Sequence, residues 1–239
     1  MNKAEICAAN SVDWYRAILA THGLVGNIES GVFVCTGKVP PYYSNASTFV
    51  LEDAGAQMRV ITALAKNLIR PFSINDCYAR LPLDRLGFRK LFDAQWIWHD
   101  TELNATGRAA SPWRRITTAE ELKAWEVAWR ALGSPTGEPV FLPPLLQNPA
   151  VAIFAAHKGA NIVAVCAANR SERAVGLSNF FTSTDGDAMA LLNAALAEIA
   201  AFAPGLPIVG YERGDALENA VRAGFSVVGP LRIWLAGTE

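Results

Sequence analysis

The residues best placed for chemistry begin with a polar turn, Ser183-Thr-Asp-Gly-Asp187. It lies between an apolar run, Val175 to Phe181, and an alanine- and leucine-rich segment from about Ala188 to Phe202. A glycine-containing turn at a helix N-terminus presents free backbone N–H groups and the positive end of the helix dipole, so it can hold an anion. The competing reading is an ordinary capped helix, because aspartate is a common N-cap and Asp185 and Asp187 would repel a diphosphate. A second pair, Tyr211 and Glu212, closes the strand-like run that begins at Leu206. A phenol beside a carboxylate can move protons. It can equally be a packed strand end, with Glu212 paired to Arg213 or Arg222. Ser178 and Asn179 are polar residues inside an apolar strand, suited to hydrogen-bonding a substrate or to marking a solvated face.

Other constellations carry less. Cys7, Cys35, Cys77 and Cys166 are scattered, without a CxxC pair or a histidine at metal-ligand spacing, and read as buried thiols. His22, His99 and His157 allow no nucleophile–base pairing to be argued. Asn75, Asp76 and Tyr78 could line a second cleft, or stand in a surface turn. Phosphate-loop and dinucleotide fingerprints are absent.

The elements that must position these groups follow from periodicity. The 239 residues suffice for two modest domains or one large one. Hydrophobic content of 51% against 18% charged residues predicts a packed core. A net charge of −1 gives no broad attraction to nucleic acid or anionic lipid, and no apolar run approaches the roughly 18 residues that span a bilayer. A cytoplasmic protein is expected, with no nucleic-acid or membrane partner and with a homodimer allowed. Helices are predicted over Val12–His22, Ala54–Leu68, Thr118–Leu132 and Ala188–Phe202, the third opened by a Thr118/Glu121 capping box. Trp125 and Trp129 share one face of that helix and read as core. Strands are predicted near Gly31–Thr36, Ser47–Leu51, Phe72–Asp76, Arg89–Trp98 and Trp113–Thr117. Further on they are predicted near Val151–Ala155, Ile162–Cys166, Val175–Phe181 and Leu206–Tyr211, and in a last run closing on Trp234. Leu103–Pro112 is polar, small and Gly/Pro-containing, the best linker.

The two halves run alike. Phe49-Val-Leu, helix, Pro71-Phe72, Gly87-Phe88 and Trp96 match Phe180-Phe181, helix, Pro207-Ile208, Gly224-Phe225 and Trp234, with spacings from strand to Gly-Phe to Trp that agree within one residue. An internal duplication is expected. The element order of the second half resembles the GNAT (general N-acetyltransferase) family, whose pyrophosphate turn is kept in Gly186 and Ala188 but has Ser183 where a basic or amide residue is usual. The resemblance implies an α/β fold of two GNAT-like mixed α/β halves, the acyl-CoA N-acyltransferase fold. Residues 1–105 would be a shortened copy and 106–239 a complete one.

It further implies acetyl-CoA or another acyl-CoA as cofactor, held by Phe181, Thr182, Ser183, Thr184, Gly186, Asp187 and Ala188. The acceptor would be a small-molecule or peptide amine, met by Ser178 and Asn179. The family often uses as acid a tyrosine four residues before the glycine of Gly-Phe. Ala220 stands there, so Tyr211 is expected as acid and Glu212 as base. The alternative expectation is a GNAT-like protein that binds a ligand or partner and catalyses nothing.

Overall fold

The protein is described here from a computed structural model covering residues 1–67, 71–101, 111–183 and 187–237. The linker expected over Leu103–Pro112 lies mostly outside the described residues.

Helix α1 (Lys3–Thr21) is longer than its apolar periodicity suggested, because Asn2 caps it and Glu5 completes a capping box. Its first turns carry Ala4, Cys7 and Ala8, side chains small enough to let the helix lie close against the sheet. Strands β1 (Asn27–Glu29), β2 (Val32–Val34) and β3 (Ala46–Thr48) lead to α2 (Ala54–Ala65), β4 (Phe72–Asp76), a 3-10 turn at Leu83–Leu86 and β5 (Arg89–His99). The second half runs β6 (Trp113–Arg115), α3 (Ala119–Leu132), β7 (Val151–Lys158), β8 (Asn161–Arg170) and β9 (Val175–Thr182). It ends with α4 (Ala188–Phe202), β10 (Ile208–Glu212), α5 (Gly214–Arg222) and β11 (Ser226–Ala236). The Thr118/Glu121 capping box forms as its residues require. Gly87 and Gly224, each before a buried phenylalanine, adopt positive φ of 81° and 99°, a conformation open to glycine at no steric cost.

All eleven strands form one sheet in the order β1-β2-β3-β4-β11-β5-β10-β9-β8-β7-β6. The two last strands, β5 and β11, eleven residues each, pair antiparallel at its centre, with Ala94 opposite Leu231 in the middle. Each then pairs outward with the other half. β11 runs along β4, from Phe72 opposite Ala236 to Asp76 opposite Arg232. β5 runs along β10, from Ile208 opposite His99 to Glu212 opposite Gln95. The sheet is therefore continuous, and each stretch lends its final strand to the other.

Alternation along the strands sorts the core by face. Trp96, Val209, Leu231 and Ile233 pack under α1, and Trp125 and Trp129 of α3 join that side. Ile97, Ile208 and Phe225 pack with α4, while Ile74 and Trp234 pack with α2. Trp125 and Trp129 stack at 6.4 Å and 9°, fully buried as core, with Phe141 edge-on to both. All four cysteines are free and buried. Among the described residues no helix is long and apolar enough to cross a membrane, and no metal-binding cluster occurs.

Candidate active site

The site begins where two parallel strands stop pairing. β9 and β10 are joined at Val175/Ile208 and Gly176/Val209 only, yet β9 continues to Thr182 and β10 to Glu212. Gly210 still lies tight against β9, since a Cβ there would meet the Leu177 carbonyl at 2.7 Å. Beyond it the strands part, leaving backbone N–H and C=O groups facing one another across an opening. On its other edge β9 carries one more residue than β8 between Val165/Phe181 and Ala167/Ser178. The extra residue is taken up with Asn179 at φ 56°, a left-handed conformation that asparagine tolerates. Such a bulge re-aims side chains, and here it lies beside the opening.

The opening leads into a cavity of about 700 Å³ lined by β9, β10, the face of α1 and the 38–45 loop. Ser178, Asn179, Phe181, Tyr211 and Glu212 all line it, so the structure brings these expected site residues together. Ser178 and Asn179 face the protein rather than open solvent. Asn179 Oδ1 accepts from Trp129 Nε1 at 3.0 Å, and its Nδ2 donates to Ser178 Oγ at 3.0 Å. Trp14, Tyr15, Tyr43 and Trp96 form further walls. Residue periodicity gives no sign of these as walls, because α1 reads only as a core helix, residues 40–44 only as a loop, and Trp96 only as a strand residue matched to Trp234. The loop is fastened across the cavity mouth. Tyr42 donates to the Pro135 carbonyl at 2.7 Å and meets Trp129 edge-on, while Lys38 pairs with both Glu138 oxygens at 3.1 Å.

Tyr211 and Glu212, adjacent on β10, point to opposite faces of the sheet. Tyr211 lies on the α1 side, edge-on to Trp96 at 5.6 Å and beside Tyr15. Burial pushes its phenol well above the ordinary range, with Tyr15 and Glu212 adding to the effect, so it stays protonated. Glu212 is lifted by desolvation from 4.5 to about 7. No ion pair offsets that among the described residues: Arg222 pairs with Glu218, and Arg213 sits over the Phe92 ring. A half-buried carboxylate near neutrality is a poised proton acceptor.

The phosphate-type turn is partly on view. Phe181 and Thr182 end β9, and Thr184 and Gly186 lie outside the described residues. Ser183 donates its N–H to the Val163 carbonyl, and its buried hydroxyl has no partner among the described residues. Asp187 caps α4, its carboxylate taking the N–H groups of Met189 and Ala190 at 3.0 Å each; Ala188 is the first helical residue. The parted strands leave a slot beside Phe181 that opens into the cavity. The Asp187 carboxylate holds two amides a diphosphate would use. Ala220 is buried against the α4-side core, while Ala216, one turn earlier, reaches the cavity.

Among the described residues the first half shows no matching parting of strands. β3 and β4 stay paired at all three positions from Ala46/Ile74 to Thr48/Asp76. Asn75 and Asp76 are fully buried, neither a cleft wall nor a surface turn, and Asp76 serves as a structural acceptor for the N–H groups of Leu81 and Tyr78.

No family model and no curated protein matches this sequence. Solved structures do. A GCN5-related N-acetyltransferase from Kribbella flavida superposes with a TM-score of 0.67 at 13% identity, covering 100% of this chain and 97% of that one. Another from Sphaerobacter thermophilus gives 0.55 at 10%, over 98% and 92%. A C-terminal domain from Agrobacterium fabrum, named for a lysylphosphatidylglycerol synthetase, gives 0.53 at 12%, over 100% and 89%.

Proposed function

With the GNAT acyltransferase fold as premise, we propose that the protein transfers an acyl group from an acyl-CoA to an amine. The observation that carries this reading is the parting of β9 and β10 after two residue pairs, with a neutral-range carboxylate at the opening. An acyl-CoA supplies the activated thioester carbonyl. The unpaired edges of β9 and β10, Phe181 and Ser183 would hold its arm. Glu212, ionised above about pH 7, takes the proton from the attacking amine. Tyr211 keeps its proton through the neutral range and is the donor for the departing thiolate. After transfer Glu212 holds the amine's proton and Tyr211 is a phenolate; release of the first to water and uptake by the second from water return both to their starting forms.

A second reading, a binding protein without catalysis, is favoured by the Asp187 cap and by Ala220. Thermal melting with acetyl-CoA tests binding, since a ligand that binds only the folded state raises the midpoint by mass action, and thiol release then separates the two readings. Acyl transfer requires both a raised midpoint and amine-dependent release of free thiol. A raised midpoint without thiol release from any amine supports the second reading. Tyr211→Phe is expected to keep the midpoint shift and to lower turnover by about tenfold or more.

A further inference from the structure

The same cavity limits what the acceptor amine can be. Resting on the acyl-transfer reading, we propose that the acceptor is a monoamine with an aromatic ring, no acidic group, and a hydroxyl or N–H on that ring.

Charge comes first. Among the described lining residues the only cation is Lys38, and both Glu138 oxygens already hold it at the mouth. An amino acid acceptor would bring a carboxylate into this space with no cation to meet it. The remaining acid is Glu212, a single carboxylate, which matches one ammonium group rather than the several of a polyamine.

Neutral polar groups come next, and most are engaged within the protein. Asn10 donates to the Asn169 carbonyl and Ser171, Asn45 donates to the carbonyls of Cys35 and Gly37, and Asn179 is bound as described. A peptide would find few free partners for its amides. What the walls do offer is rings. Phe92 and Phe181, half-buried, face the cavity along with Pro41, and Trp14, Tyr15 and Trp96 back them with little surface of their own, a wall suited to a flat apolar body.

One polar atom stands out. Tyr43 is 7% exposed and lines the cavity, and its hydroxyl is buried without a geometrically formed hydrogen bond among the described residues, although Trp14 and Asn179 flank it. A buried hydroxyl left unpaired is costly, and a ligand group that pairs with it recovers that cost. A hydroxyl or indole N–H on the substrate ring supplies this.

The test uses wild-type protein, acetyl-CoA and four amines: tyramine, 2-phenylethylamine, tyrosine and spermidine. Thiol release is followed, and melting is measured with each amine alone. Tyramine is expected to be acetylated with a kcat/KM at least about a hundredfold above tyrosine and spermidine, which reflects an unpaired buried charge. It is expected to exceed 2-phenylethylamine by about tenfold, one neutral hydrogen bond. In Tyr43→Phe that last ratio falls to about one. Use of tyrosine or spermidine within tenfold of tyramine overturns the inference, as does a tyramine advantage that survives in Tyr43→Phe. If tyramine alone raises the midpoint, tyrosine does not, and no thiol is released with any amine, the cavity assignment stands and the acyl-transfer reading fails. If acetyl-CoA raises the midpoint but none of the four amines does so or is acetylated, the reading stands and the inference fails.

Discussion

Replacing Glu212 by glutamine is expected to make the protein more stable and less active, with both effects tied to one titration. A glutamate ordinarily titrates near 4.5, and desolvation lifts Glu212 to about 7 in the folded protein. Between those values the folded form keeps a proton that the unfolded form has released. Folding stability therefore falls as pH rises through this window, carries the full penalty above about 7, and is free of it below 4.5. The gap corresponds to about 3 kcal/mol. Because part of the side chain still meets water, about 1–2 kcal/mol is the expected penalty at pH 8. Glutamine keeps the shape and removes the charge. Urea unfolding should then place Glu212→Gln about 1–2 kcal/mol above the parent at pH 8 and level with it near pH 4.5. Acyl transfer by the parent should rise with pH through about 7 and then flatten. The variant should lose that inflection and about 10²–10⁴ of the rate, the usual contribution of a general base. A variant no more stable at pH 8 than the parent would refute the desolvation argument. One that kept the inflection near 7 would refute the assignment of the base.

Asp187→Ala frees the N–H groups of Met189 and Ala190, so it is expected to cost about 1 kcal/mol of stability yet to tighten acetyl-CoA binding measured by calorimetry. Weaker binding would mean that the cap itself shapes the cofactor turn. We also propose that residues 1–105 and 106–239 are repeats that cannot fold apart, because β5 and β11 each complete the other's sheet. Each fragment expressed alone should lack a cooperative melt, and mixing the two should restore one, read by circular dichroism.

Much of the element order was legible in the sequence, and the reasons are local. The Thr118/Glu121 capping box, the turn between β7 and β8 and the glycines before Phe88 and Phe225 each act within a few residues, so their types fix their conformations. Residues 3–11 do not read as helix in the sequence because Ala4, Cys7 and Ala8 make a small-residue face, which carries little periodic signal although the sheet needs it. The strand exchange was not legible at all. Nothing local in Arg89–His99 distinguishes pairing with β4 from pairing with β10; both are five-residue strands preceded by a helix.

That exchange decides the site. Because β10 lies against β5 and not against β11, Tyr211 rests on Trp96, a residue of the first half, and α1 and the 38–45 loop close the cavity from the same half. Trp96 is in turn held by the bond from its Nε1 to the Cys77 carbonyl at 2.7 Å, just past the end of β4. The parted strands come from the second half and many of the other cavity walls from the first. In the first half β3 and β4 stay zipped over Asn75 and Asp76, so that half has its own slot closed and contributes walls instead. The slot therefore depends on the first half twice over: β5 carries β10 in its pairing, and Trp96 is the ring against which Tyr211 rests.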